Sequence, residues 1–325
     1  MSSAASVADP AEPRTPTPDE PTVAPLTTVY RPALPLDLRL TLRALRRGGG
    51  DPAWSYAADG SIWQATRTPD GPATRHLRQR ADGVHVTTWG PGAELALAQT
   101  PELLGSRDDD SGFDSRLHPV VHDAHRRLPG LRIPRSNNVL EALVPAILEQ
   151  KVVGLDAQAA YRALVRQHGT PAPGPGPTTL RVPPDASGWR SIPVWDWRRA
   201  GVDQQRAGTI ARAATVARRL QESVDLPITE AYRRLRTVQG VGPWTVAEVS
   251  SRALGDADAV SVGDFHLAHL VGWALTGRRT DDAGMLELLA PWAGQRQRVV
   301  RLIELTMTSS APRYGHRAPR ARPMR

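Results

Sequence analysis

The stretch Leu235-Arg-Thr-Val-Gln-Gly-Val-Gly-Pro-Trp-Thr245 constrains this chain more than any other. A helical pattern ends near Thr237, two glycines stand one residue apart at Gly240 and Gly242, and Pro243 follows. Glycine accepts backbone angles and close approaches that a Cβ forbids. Proline suits the first turn of a helix, where its missing N–H is no loss. The segment therefore predicts two helices joined by a tight corner. N–H groups at the start of the second helix lack partners within it and attract an anion, phosphate above all. Such a corner either packs two helices or grips a phosphate, and a short glycine motif alone leaves both readings open.

The rest of the chain divides by pattern. Residues 1–28 are rich in Pro, Ala, Ser and Thr and are expected to be a disordered leader. Residues 29–112 are expected to be β-rich. Segments 61–68, 73–80 and 83–90 carry Ile62, Val84, Val86 and Trp89 between Asp-Gly turns, as in an antiparallel sheet. Residues 35–47 alternate Leu and Arg and fit a short strand or helix. From about residue 115 the pattern is helical: Val139, Leu140, Leu143, Val144, Ile147 and Leu148 share one face. Further helices are expected at 156–168, 203–222, 229–237, 244–254, 264–276, 283–290 and 295–308, with a Pro/Gly-rich loop at 170–188. The fold class is α+β: a small β-rich N-terminal domain, a larger helical domain over 113–310 that carries the glycine corner, and a basic tail over 311–325.

Charge points to a polyanionic partner. The formal charge is +8. Residues 1–30 hold Arg14 against Asp9, Glu12, Asp19 and Glu20, whereas residues 291–325 hold eight arginines against Glu304. Positive potential therefore gathers at the C-terminal end, as nucleic-acid binding requires. With no cysteine, the chain has no disulfide and no thiolate metal site. No apolar run reaches the length of a membrane span. The N-terminus lacks the basic start and apolar core of a secretory signal. A cytoplasmic monomer without membrane association is expected. Lys151 is the sole lysine among cations otherwise written as arginine.

At the glycine corner the chain resembles the helix-hairpin-helix DNA glycosylases, whose hairpin reads L-x-x-(L/F)-P-G-(V/I)-G-x-x-T-A. Here the matching residues are Leu235, Val238, Gln239, Gly240, Val241, Gly242, Thr245 and Val246, with Gln and Val in place of the usual Pro and Ala. The family carries a catalytic aspartate 22 residues after the second glycine; from Gly242 that count reaches Asp264, in Val260-Ser-Val-Gly-Asp-Phe-His266. An aspartate at a helix start is also a favoured cap. Pro129-Gly-Leu-Arg-Ile-Pro134 and Ala146-Ile-Leu-Glu-Gln150 resemble the inducible 3-methyladenine DNA glycosylase, and the β-rich 55–100 region suits its N-terminal sheet. The resemblance covers about residues 30–308, with specific motifs between 129 and 270.

The resemblance implies a monofunctional enzyme that hydrolyses the N-glycosidic bond of damaged, alkylated bases in double-stranded DNA. Bifunctional members carry a lysine at the position of Val246. Asp264 is implied as the essential carboxylate. Gly240, Val241, Gly242 and Thr245 are implied as DNA contacts. Trp244 and Gln150 are implied at the base pocket, where an electron-rich ring suits a cationic base; the residue reading of Trp244 is equally ordinary core packing at a helix start. Two positions depart from the pattern. Glu248 stands where the pocket is aromatic, and either favours a cationic base or faces water. Lys151 stands at the apolar wedge position that fills the gap left by the flipped base, and either contacts a phosphate there or is a solvated helix-end cation. No cofactor is expected; the family often holds a monovalent cation on hairpin carbonyls. His118, His122 and His125 share a helical face but lack a completing ligand, so no metal site is expected. Asp108, Asp109 and Asp110 read as a charged loop, and Trp195 and Trp197 as packing a turn. The competing class is a non-catalytic helix-hairpin-helix DNA-binding protein, which leaves Asp264 without a task.

Overall fold

The computed structural model describes residues 24–307. The expected basic tail, and the expected leader up to residue 23, lie outside the described residues. Five strands form one antiparallel sheet: β1 (Leu26–Tyr30), β2 (Trp54–Tyr56), β3 (Ile62–Thr68), β4 (Gly71–Arg80) and β5 (Gly83–Trp89), in spatial order β1-β5-β4-β3-β2. Alternation sets the inner face. Ile62 pairs with Leu77, Leu77 with Val86, and these side chains are buried with Val84. They pack on α1 (Leu38–Leu42), whose N-terminus Asp37 caps, and on Leu103 and Leu104 at the end of α3 (Thr100–Leu103), which follows α2 (Ala93–Ala98).

The chain then turns helical: α4 (Pro119–Arg127), α5 (Val139–Leu148), α6 (Gly154–His168), α7 (Ala186–Ser191), α8 (Val194–Arg199), α9 (Gln204–Thr215), α10 (Ala217–Gln221), α11 (Ile228–Leu235), α12 (Pro243–Val249), α13 (Leu267–Thr276), α14 (Asp282–Leu289) and α15 (Arg296–Met307). The architecture is α+β. One core gathers Leu143, Ile147, Leu148, Leu164, Ile210, Leu235 and Val249 around α5, which packs against α6, α9, α10 and α12. A second gathers Val121, Val271, Met285, Leu289, Trp292, Val299 and Ile303 from α4 and α13 to α15. Two side chains tie the sheet to α5. Glu141 accepts hydrogen bonds from the Thr66 hydroxyl and the Arg67 N–H, and Asn138, the α5 cap, donates to the Arg67 carbonyl.

Several expectations need correction. The ordered chain reaches into the segment expected to be leader, because Leu26-Thr-Thr-Val-Tyr30 pairs with β5. The 170–188 stretch is not a bare loop: β6 (Thr170–Pro171) pairs with β7 (Arg181–Val182), Leu180 and Val182 pack on Ala65, and α7 begins within it. Asp108 is no solvated loop residue. Its carboxylate is buried against the Arg298 guanidinium and accepts the Ile133 N–H at 3.0 Å. Trp197 is buried beside Trp189, but Trp195 is 66% exposed, because residues two apart on a helix face opposite ways. The three histidines serve separate partners: His118 the α4 start and the Leu275 carbonyl, His122 the Ser115 hydroxyl, His125 the Phe113 ring. Among the described residues no group of His, Cys, Asp or Glu is arranged to hold a metal ion, and no helix is long and apolar enough to cross a membrane.

Candidate active site

The corner forms as the glycine pattern predicts, with α11 ending at Leu235 and α12 starting at Pro243. The two glycines do different work. Gly240 has φ +97°, and a Cβ there would lie 2.5 Å from the Thr209 hydroxyl. Glycine is thus demanded by the fold itself. Gly242 has φ −96°, and a Cβ would meet nothing within 4 Å. Nothing inside the protein asks for glycine at 242, which caps α12 without a side-chain hydrogen bond and leaves the first-turn N–H groups uncapped. Val241 is buried in the core and its N–H bonds the Val238 carbonyl at 3.0 Å, so it supplies the corner's footing, not an outward donor.

Asp264 lies beyond α12, on the turn before α13, and is half-buried. Its Oδ1 accepts the N–H groups of His266 and Leu267 at 2.8 and 3.0 Å, and its Oδ2 accepts the Trp244 indole N–H at 3.1 Å. One oxygen thus orders the helix start, and the other faces α12. Phe265, the next residue, is 62% exposed and its ring meets His266 edge-on. Sequence reasoning passed over Phe265; its signal was an aromatic beside the candidate carboxylate in a chain with only two phenylalanines.

The end of α5 is fastened to the corner. Arg206 donates to the Leu148 carbonyl at 2.8 Å, satisfying one of the helix's last acceptors. The Gln150 amide donates to the Gly240 carbonyl at 2.9 Å and to the Thr245 hydroxyl at 2.8 Å. Thr245 is 2% exposed and its hydroxyl is taken up by Gln150, so its side chain serves the corner, while its N–H belongs to the uncapped first turn of α12. Lys151 follows Gln150, exposed, with φ +56°. That left-handed backbone is costly for a residue with a Cβ and ends the helix sharply. The lysine is thereby carried on the turn between α5 and α6.

Glu248 neither faces water nor is free in a pocket. One turn after Trp244 on α12, it accepts from Ser261 at 2.6 Å and pairs with Arg252 at 2.8 Å. Burial pushes its carboxyl up, but the Arg252 cation, the Ser261 hydroxyl and Arg47 outweigh burial and hold it below the usual range. Arg252 sits on the widened turn Ser250–Leu254 and donates to the Ala44 carbonyl, so the segment before β2 closes this side of the site. Arg47 lies 3.6 Å from Glu149, whose carboxyl burial raises. Val246 is buried and brings no amine to the site. Trp292 belongs to the second core, its indole bonded to the Asp114 carbonyl. The two cavities that open along the far end of α11, of about 280 and 320 Å³, include neither Asp264 nor Trp244 in their walls. The Gln239 and Gly240 carbonyls each accept a hydrogen bond, from Arg212 and from Gln150.

No family profile matches the chain. Over 160 residues it is 32% identical to the "probable bifunctional transcriptional activator/DNA repair enzyme AlkA" of Mycobacterium tuberculosis. That match takes in 48% of this chain and spans 30% of that relative's own length. Among solved structures, 3-methyladenine DNA glycosylase from Archaeoglobus fulgidus superposes with a TM-score of 0.73 at 16% identity, over 88% of this chain and 99% of that one. The chain has the fold of the helix-hairpin-helix DNA glycosylases. An 8-oxoguanine glycosylase/lyase of Clostridium acetobutylicum, solved with double-stranded DNA, shares this glycosylase fold with a TM-score of 0.63 at 13% identity, over 82% and 90% of the two chains.

Proposed function

We propose that the chain is a monofunctional DNA glycosylase of base excision repair, which hydrolyses the N-glycosidic bond of damaged, alkylated bases in duplex DNA as a cytoplasmic monomer. The observation that carries this reading is Asp264: a carboxylate fixed by three donors, one of them the Trp244 indole, next to a helical corner with an uncapped helix start. Capping the start of α13 would serve a non-catalytic clamp equally, but it accounts for one oxygen alone and not for the one held toward α12 by the Trp244 indole.

The reaction needs the nucleotide turned out of the stack. As the glycosidic bond breaks, its electron pair leaves with the base and positive charge develops on the sugar. Asp264, already oriented, stabilises that charge without reorganising, and water then adds its hydroxyl to the sugar carbon and gives up a proton. An alkylated base leaves readily, so little acid catalysis is needed. Trp244 holds the carboxylate and lends a ring face to the base. Gly242 and the α12 start grip a backbone phosphate. Lys151 and Phe265 meet the strand on either side of the opening. No cofactor takes part, and no step needs a cation at the hairpin.

The test is base release from methylated duplex DNA by the purified chain. Free methylated base should appear while the strand stays whole until alkali is added. A borohydride-trapped protein–DNA adduct would show an amine nucleophile and overturn the monofunctional assignment; binding without release would leave only the clamp.

A further inference from the structure

Three carboxylates stand at the end of α5, the last turn of α12 and the turn before α13: Glu149, Glu248 and Asp264. What holds each of them differs. Asp264 accepts three hydrogen bonds. Glu248 accepts from Ser261 and pairs closely with Arg252. Among the described residues Glu149 accepts no side-chain hydrogen bond: Arg47 lies at 3.6 Å, too far for one, the Arg252 cation attracts it as well, and its side chain is 20% exposed. Both its oxygens keep their acceptor capacity in a place largely shielded from water. Neither oxygen is among the fully buried atoms that lack a partner, so both are open to a group from outside, and one carrying N–H donors would fill that capacity.

The position fits a reader of the base. Glu149 caps α5 and precedes Gln150, whose amide is locked to the corner, so its backbone is held. Gln150 bonds Thr245, and the residue before Thr245 is the Trp244 that holds Asp264, so the end of α5 is fastened to the part of α12 that carries the reacting carboxylate. We propose that Glu149 is a specificity-determining residue whose carboxylate accepts hydrogen bonds from the exocyclic amino group of the flipped base, selecting alkylated aminopurines over adducts whose amino nitrogen carries no hydrogen. The inference rests on the glycosylase reading and adds the class of base that the site takes.

Burial holds the Glu149 carboxyl above the usual range, the Arg47 and Arg252 cations oppose this, and Glu248 and Asp264 add to it. Donation from an amino group would favour the ionised form, so binding the right base completes the charge pattern of the recess. Adenine and guanine alkylated on the ring keep amino hydrogens. Ethenoadenine, in which the amino nitrogen is closed into a ring, has none.

The experiment compares the full chain with Glu149→Ala and Glu149→Gln. It measures single-turnover release of methylated adenine and guanine, release of ethenoadenine, and affinity for duplex carrying a tetrahydrofuran abasic analogue, which has no base to read. Glu149→Ala should slow release of the amino-bearing bases about tenfold to a hundredfold, the effect of a lost hydrogen bond to a charged group. Glu149→Gln, which keeps a carbonyl acceptor, should recover most of that. Ethenoadenine release should not slow, and affinity for the abasic analogue should not change. Release of amino-bearing bases by Glu149→Ala within threefold of wild type overturns the inference. So does an equal loss for ethenoadenine, or weaker binding of the abasic analogue, either of which marks Glu149 as structural support. A wild-type chain that releases no methylated base overturns the glycosylase reading, and this inference with it.

Discussion

Asparagine in place of Asp264 removes a charge at nearly constant volume, and the geometry says what else it disturbs. The Asn carbonyl can keep the His266 and Leu267 N–H groups, now at 2.8 and 3.0 Å, but its NH2 then faces the Trp244 indole N–H across 3.1 Å, donor against donor. Turning the amide over restores the indole contact and gives up both backbone ones. The first arrangement loses less, and asparagine caps a helix as well as aspartate, so the fold should survive with little change in melting temperature. The chemistry should not. A unit charge about 4 Å from the developing sugar cation, at an effective dielectric of about 20, contributes about 4 kcal/mol. That is roughly a thousandfold in rate. Single-turnover release from methylated duplex should therefore fall by about three orders of magnitude, while affinity for the same DNA persists or rises because a negative charge near the backbone is gone. Release within tenfold of wild type, by a folded variant, refutes the assignment of Asp264.

Gly242→Asp puts a side chain into open space and a negative charge at the phosphate grip, so the chain should fold normally while affinity for damaged and undamaged duplex falls together, measured by titration. Loss confined to damaged DNA would contradict the anchor. Lys151→Ala should lower affinity for lesion-bearing duplex and reduce the slope of log affinity against log salt by about one; an unchanged slope returns Lys151 to the solvated surface. Burial raises the Glu141 carboxyl from 4.5 to about 7, against the pull of the Arg67 and Thr66 hydrogen bonds. The folded state thus holds this proton more tightly than the unfolded chain, and stability is lost as pH rises from about 4.5 through about 7. Glu141→Gln should be neutral near the bottom of that window and stabilising above it, by up to about 3 kcal/mol in chemical denaturation; equal stability change at both ends would count against it.

What could be read from the sequence was local or counted. The helical face of residues 139–148 repeats with the right period, and all but one of its six apolar members are buried. Asp264 was singled out by the spacing that the resembled family carries after its second hairpin glycine, and the structure sets it beside Trp244. What escaped reading is assembled across the chain. Asp108 looks like part of a solvated acidic run until Arg298, 190 residues on, closes over it. Arg47, Glu149, Glu248 and Arg252 carry no shared pattern, and only packing of the segment before β2 against α5 and α12 makes them neighbours. Glu248 and Thr245 were assigned outward tasks because nothing in the sequence announces the Arg252 and Gln150 side chains that occupy them. The Leu26–Tyr30 strand was hidden by its Pro-rich surroundings, and a two-residue pairing such as Thr170–Pro171 with Arg181–Val182 has no periodicity to detect.

The two hydrogen bonds from Gln150 join the end of α5 to the glycine corner at both the Gly240 carbonyl and the Thr245 hydroxyl. They make one stiff bracket of the part that would seize the strand and the part that would part it. A bracket of fixed span acts as a ruler. The phosphate it grips must lie a set number of nucleotides from the base it ejects, so a lesion brought closer than that to a strand end or a nick offers nothing to hold. Repair by this chain would then end abruptly at a defined distance from a break, and moving one damaged base stepwise toward the end of a duplex would measure the bracket's length in nucleotides.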